Sequence, residues 1–158
     1  MDNDKLKSKK EYYFRQYYNQ PDVIRKRREI IEELNKTKKE IIDNPVYLSA
    51  VQYDSMPHSP NVNINSVLDK IVKTDDKIEN IDNKILKQMQ LLEKEMTIFD
   101  NIDNMLKEFT DNQSKIFECI YKDKMRITEV AYTVCLTERA VLYIKREILK
   151  KANFIQED

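Results

Sequence analysis

Between Ile127 and Lys151 the sequence sets polar and apolar residues at spacings that suit recognition chemistry rather than catalysis. Ala131 is a small residue of the kind a helix needs where a second helix crosses it. Val130, Val134 and Leu136 bracket a turn, and Val141 and Ile144 follow at inner-face spacing. Thr137 is a good N-cap, with Glu138 and Arg139 in the first turn behind it. This is the pattern of a helix-turn-helix, and the outward positions on its second helix are Glu138, Arg139, Leu142, Tyr143 and Arg146. The Arg139 guanidinium can donate two parallel hydrogen bonds to a guanine edge, the Glu138 carboxylate can accept from cytosine, and Leu142 can pack on a thymine methyl. Thr137, Lys145, Lys150 and Lys151, with Lys122, Lys124 and Arg126 ahead of the motif, are placed for phosphates. One position departs from the pattern. Cys135 stands where glycine is usual, at a cost of about 1 kcal/mol if the turn keeps a left-handed residue there.

The elements that must carry these residues are helical. The 158 residues contain no glycine, which removes phosphate-cradling loops, nucleophile elbows and the usual hairpin turns. The expected fold is all-α: long helices with a possible coiled-coil dimer interface, followed by a C-terminal helix-turn-helix domain. Four segments are expected, an N-terminal helical region (1–43), a proline-containing linker (44–65), long heptad-patterned helices (66–108) and the helix-turn-helix domain (109–158). The first holds a short helix with an aromatic face from Tyr12 to Tyr18, ending near Pro21, and an amphipathic helix from Asp22 to Asp43 with Ile24, Ile31, Leu34, Ile41 and Ile42 on one stripe. The aromatic cluster beside Lys9, Lys10 and Arg15 reads as a packing face or as a base-stacking one. The Arg25 to Arg28 cluster is opposed by the helix macrodipole if the helix begins beside it, so a polyanion or plain solvation must account for it.

The strongest periodic signal lies in the third segment. Ile64, Ile71, Ile78, Ile85, Leu92, Phe99 and Leu106 recur at every seventh position, and Val67, Leu68, Ile81, Met89, Met96 and Ile102 fill most of a second seam. Such a column pairs with another helix along its length. A homodimer or higher oligomer would use Ile64, Ile71, Ile78, Ile85 and Leu92, and an intramolecular hairpin against the Asp22 to Asp43 helix would use the same residues. Thr97, Asp100 and Asn101 suggest a restart, giving one helix from Ser66 to Met96 and a shorter one ending near Glu108.

Charge separates by segment although the totals cancel at 28 basic and 28 acidic residues. Residues 1–40 carry +4, residues 41–112 carry −6 and residues 113–158 carry +2. Basic ends around an acidic middle suit a protein whose ends meet a polyanion. Cys119 and Cys135 lack metal-ligand spacing and read as reduced core thiols, and the single histidine, His58, reads as a loop residue. No metal, no cofactor and no enzyme activity are expected, because no carboxylate pair, activated nucleophile or ligand set converges. No apolar run reaches membrane-spanning length and the first residues contain no signal-peptide core, so a cytoplasmic protein without membrane contact is expected.

Beyond the bare motif, Ile116, Phe117, Ile120 and Tyr121 on one helix, Ile127, Val130 and Ala131 on the next, and Thr137 to Lys151 on the last resemble the promoter-reading C-terminal domain of sigma factors. The stretch from Tyr47 to Phe154 resembles the ArpU/RinA family of phage-encoded late transcriptional regulators. The resemblance is carried by the strap YDSMPHSPNVN, the helix VLDKIVKTDDKIENIDNKI, the series Ile98, Ile102, Leu106, and the basic end at Lys150 to Ala152. It implies an activator of late genes in the bacterial host cell, binding double-stranded operator DNA near a promoter, with host RNA polymerase as a candidate partner. Three rival readings share parts of this pattern: a sigma-like polymerase factor, a terminase small subunit recognising packaging DNA, and a coiled-coil interaction protein with no DNA role.

Overall fold

The computed structural model of the chain describes residues 2–44 and 64–155, with side chains from 4 and from 68 onward in the two stretches. The linker's prolines and His58 lie outside the described residues, as does the Ile64 side chain. Among the described residues the chain is all helix, with no strand: α1 (Asp2–Tyr17), α2 (Gln20–Asp43), α3 (Ile64–Lys107), α4 (Asp111–Phe117), α5 (Ile127–Val134) and α6 (Glu138–Lys151). A π-helical turn, Glu118–Lys122, continues α4. The chain divides into two compact units, one of Met1–Ile24 with Glu93–Asp158 and the other of Arg25–Leu92.

The first unit is organised around Phe117. Its ring centroid lies 5.0 Å from Phe14, 4.8 Å from Tyr121, 5.9 Å from Phe109 and 6.1 Å from Tyr18, mostly in edge-on or tilted geometry. The aromatic run of α1 is therefore chiefly a packing face: Phe14 is fully buried, Tyr13, Tyr17 and Tyr18 pack around the core, and only Tyr12 points outward at 54% exposure. Ile98, Phe99, Ile102 and Met105 of α3, Val130 and Ala131 of α5, and Val141, Ile148 and Leu149 of α6 complete this core. The π-helical turn helps to seat Tyr121 within it. The Asp123 N–H reaches back to the Glu118 carbonyl (3.0 Å) and the Met125 N–H to that of Cys119 (2.9 Å), closing a wider turn than an α-helix allows. Two polar links then fasten α1 to α6. Lys10 Nζ donates to the Leu149 carbonyl (3.0 Å), and Glu11 pairs with Lys145 (2.9 Å).

The second unit is a hairpin of α2 and α3. Half-buried residues recur in steps of three and four, as Arg27, Ile31, Leu34, Lys38 and Ile41 on α2 and as Ile71, Thr74, Ile78, Ile81, Ile85 and Gln88 on α3. Arg27 donates to Gln88 Oε1 (2.9 Å) and Lys38 meets Asp82 (2.6 Å), so the two helices run antiparallel. Ile71, Ile78 and Ile85 thus belong to an intramolecular seam, while Phe99 and Leu106 of the same column pack in the other unit.

Three expectations are corrected. Helix α3 runs without a restart to Lys107, because Thr97 Oγ1 bonds back to the Glu93 carbonyl (2.9 Å) instead of capping a new helix, and the buried Ile98, Phe99 and Ile102 hold the backbone beyond it. Of the second seam, Ile81 is half-buried and Ile102 buried as expected, but Leu68, Met89 and Met96 are exposed, because beside Ile81 the inward positions fall to Thr74 and Gln88. Helix α2 begins at Gln20, so the Arg25 to Arg28 cluster lies past the first turn, where the macrodipole has faded.

Phe14→Ala is expected to lower the unfolding free energy of the first unit by about 3–5 kcal/mol, the usual cost of truncating a buried aromatic, in urea unfolding followed by circular dichroism. A loss below about 1 kcal/mol would mean that α1 is not part of the core. A second expectation concerns alkaline pH. Burial raises the phenol of Tyr17, with the hydrogen bond to Asp103 adding to it. Burial and the charges of Glu118 and Asp123 push Tyr18 up to about 12, and burial also raises Tyr121. Because the folded values exceed the unfolded one of about 10, stability from these groups is complete below pH 10 and is lost as pH rises through the folded values. Tyrosinate absorbance should show these three of the nine tyrosines ionising late, with the unfolding midpoint falling in the same range. Nine phenols titrating together near pH 10 would contradict it.

Candidate nucleic-acid interface

The connection between α5 and α6 sets the candidate interface. At the start of α5 the Glu129 carboxylate accepts the Arg126 N–H (2.8 Å), satisfying one of the donors a helix start leaves open. Val130 and Ala131 then turn into the core. At the end of α5, Cys135 adopts φ 55 and ψ 41, the left-handed conformation. The Leu136 N–H returns to the Ala131 carbonyl (3.0 Å) and the Cys135 N–H to that of Tyr132 (3.3 Å), the two bonds of a Schellman ending. Thr137 follows in extended conformation, and its Oγ1 accepts the Ala140 N–H (3.2 Å), starting α6. In a chain without glycine, Cys135 and Lys124 (φ 56) are the two described residues at positive φ. Cys135 is exposed, which corrects the reading of both cysteines as core thiols; Cys119 is buried as expected. The left-handed turn lifts residue 135 off both helices, so its side chain has no core to enter.

Helix α6 separates its faces cleanly. Val141 and Ile148 are fully buried and Leu149 nearly so, with Ile144 half-buried beside them. Glu138, Arg139, Leu142, Tyr143, Arg146 and Lys150 are exposed. At about 100° per residue, Arg139, Arg146 and Lys150 fall within about 40° of one another, with Leu142 and Tyr143 on either side of that line. The five base-reading candidates therefore share one open surface, with Glu138 at its edge. Leu142 and Tyr143 remain 41% and 64% exposed, hydrophobic area that the described residues leave uncovered.

The phosphate candidates divide. Lys124 and Arg126 are exposed on the turn before α5, and Lys122, also exposed, lies 5.9 Å over the Tyr18 ring. The Thr137 hydroxyl accepts the helix cap and keeps its own proton to donate. Lys150 makes only an exposed pair with Glu147 (3.0 Å), of the kind that contributes little. Lys151 bends over the Phe109 ring (5.1 Å) and donates to Gln113 Oε1 (3.1 Å), fastening α6 to the start of α4, where Thr110 and Gln113 cap each other. Lys145 does not join the open face. It is half-buried against Glu11, because its position on α6 turns it toward α1. Residue spacing within α6 carried no signal of that, since the partner lies 134 residues away. One exposed candidate escaped the sequence reading: Tyr132, in the last turn of α5, is 89% exposed beside the turn, and only its outward helical position marked it.

Among the described residues no helix is long and apolar enough to cross a membrane, and no group of three metal-ligating side chains is present.

The left-handed turn has a measurable consequence. Cys135→Gly should stabilise the first unit by up to about 1 kcal/mol, the left-handed penalty of roughly 1–2 kcal/mol less the added chain entropy of glycine. Cys135→Val should destabilise it. In the folded protein Cys135 should react readily with a thiol reagent and Cys119 only on unfolding, since burial raises the Cys119 thiol and removes it from solvent. Two thiols reacting at one rate would contradict this arrangement.

Comparison of the chain with family models, with curated proteins and with solved structures finds no match.

Proposed function

We propose that this chain is a sequence-specific DNA-binding transcriptional regulator, with α5 and α6 acting as a helix-turn-helix of the sigma region 4 kind and α6 as the reading helix. The observation that carries the proposal is the exposed stripe of Arg139, Leu142, Tyr143, Arg146 and Lys150, on a helix whose start is defined by the left-handed Cys135 and the Thr137 cap. A guanidinium in the first turn and apolar groups one turn later suit the base edges of a major groove, which a reading helix enters by its N-terminal end. Arg139 pairs with guanine, Glu138 accepts from cytosine, and Leu142 covers a thymine methyl. Lys122, Lys124, Arg126 and Lys150 hold phosphates on either side, and these contacts position the helix without reading sequence. The role is binding, not catalysis.

The resemblance to the ArpU/RinA family extends this to a regulator of late phage genes acting at an operator in the bacterial cytoplasm, with host RNA polymerase as a possible partner. A homodimer would double the contacts of a single reader and would bind half-sites about 34 Å apart or a multiple of it. The heptad column is already engaged within the chain from Ile71 to Ile85, so such a dimer would use other faces of the hairpin, where Leu68, Val72, Leu86 and Met89 are exposed.

Selection of bound sites from random duplex DNA tests the reading. It should return one motif, repeated as a pseudo-palindrome if the protein is a dimer. On that motif Arg139→Ala should cost about 1–3 kcal/mol while leaving binding to scrambled DNA unchanged. Equal losses on both duplexes would refute the assignment of Arg139, and an unenriched pool would refute sequence-specific reading altogether.

A further inference from the structure

The N-terminal helix brings a second set of cations to the end of the α6 stripe. Lys10 is held at the Leu149 carbonyl and Glu11 at Lys145, so α1 lies beside the C-terminal half of α6 with its lysines in a defined place. Between the two helices is an open cleft of about 330 Å³ whose walls include Lys7 and Lys10 of α1 and Arg146 and Lys150 of α6, against the single carboxylate of Asp4. Lys7 and Arg146 have no anionic partner among the described residues, and Lys150 has only its exposed pair with Glu147. With Lys10 spent on a backbone carbonyl and Lys150 on an exposed pair with Glu147, the four cations outnumber the carboxylates near them, and an anion in the cleft would relieve their mutual repulsion. Arg146 belongs both to this cleft and to the exposed stripe that begins at Arg139, so the basic surface is continuous from the reading face onto α1.

We infer that the cleft between α1 and α6 binds the sugar–phosphate backbone flanking the site that α6 reads, with Lys7 as a phosphate contact supplied by the N-terminal helix. The inference rests on the proposed DNA-reading role of α6. A duplex whose major groove holds the N-terminal half of α6 presents a backbone strand at the wall of that groove, toward the other end of the helix, where Arg146, Lys150 and Lys7 stand. Lys145, turned inward to Glu11, is not available there, and its ion pair instead holds the element that brings Lys7. The aromatic residues of α1 thus serve packing while its lysines serve binding.

The test uses the full chain, a duplex carrying the selected motif and a scrambled duplex, with affinity read by fluorescence anisotropy over a salt series. Lys7→Ala should weaken both duplexes by the same factor and reduce the salt slope by about one phosphate, so that the affinity lost between 50 and 200 mM salt shrinks roughly three- to fourfold. Lys7→Glu should weaken binding further, and Lys5→Ala, outside the cleft, should change little. Thermal melting of each variant shows that the fold is retained, as the exposed position of Lys7 implies. Phosphate ethylation interference should lose one flanking contact in Lys7→Ala. If the wild type binds with an Arg139-dependent preference while both Lys7 variants match it in affinity and slope, this inference is overturned and the reading of α6 stands. If the wild type shows no salt-sensitive binding to either duplex, the reading fails and this inference with it.

Discussion

Everything at the C-terminal end of the molecule depends on one aromatic contact, the packing of Phe14 against Phe117 and Tyr121. α4 and α5 are short, seven and eight residues, and helices of that length do not persist alone in water. They hold their shape because each gives side chains to a core that α1 and the end of α3 close. Phe117 lies at its centre, in contact with residues 103 positions earlier and only four later in the chain. The π-helical turn contributes to this arrangement, because its wider backbone carries Tyr121 into the cluster. The cost is local, since Tyr121 Oη finds no hydrogen-bond partner among the described residues.

A second constraint follows from the absence of glycine. Helix endings favour a left-handed residue, and here a lysine and a cysteine must supply it. Cys135 tolerates that conformation because its short, unbranched side chain avoids the worst clashes and because two backbone hydrogen bonds close around it. The direction of α6, and with it the surface formed by Arg139, Tyr143 and Arg146, follows from that turn. The feature that weakened the motif when read from sequence is therefore the one that gives it its geometry.

The hairpin shows how far a periodic pattern reaches. A seven-residue repeat states that a helix has a partner along one line, and α3 has one. It does not state whose helix the partner is. α2 carries the complementary spacing, with Arg27 and Lys38 among its seam positions. Those two side chains meet Gln88 and Asp82 across the seam, so the polar positions of one helix answer those of the other. In the second seam Ile81 and Ile102 turn inward, whereas at Leu68, Met89 and Met96 the helical angle overrules apolar character.

Much of the fold was legible in local spacing. The all-helical class, the heptad column, the boundaries of α5 and α6, the Thr137 cap, the strained Cys135 and the outward set on α6 all rest on interactions within a few residues, where sequence order and spatial order coincide. What required the tertiary structure was every contact joining distant segments: the docking of α1 into the C-terminal core, the inward turn of Lys145 to Glu11, the fastening of Lys151 to Gln113, and the meeting of Lys7 with Arg146 in one cleft. No periodicity encodes those contacts. Each depends on which faces remain apolar once all the helices have formed, and on the geometry with which a shared core then brings them together.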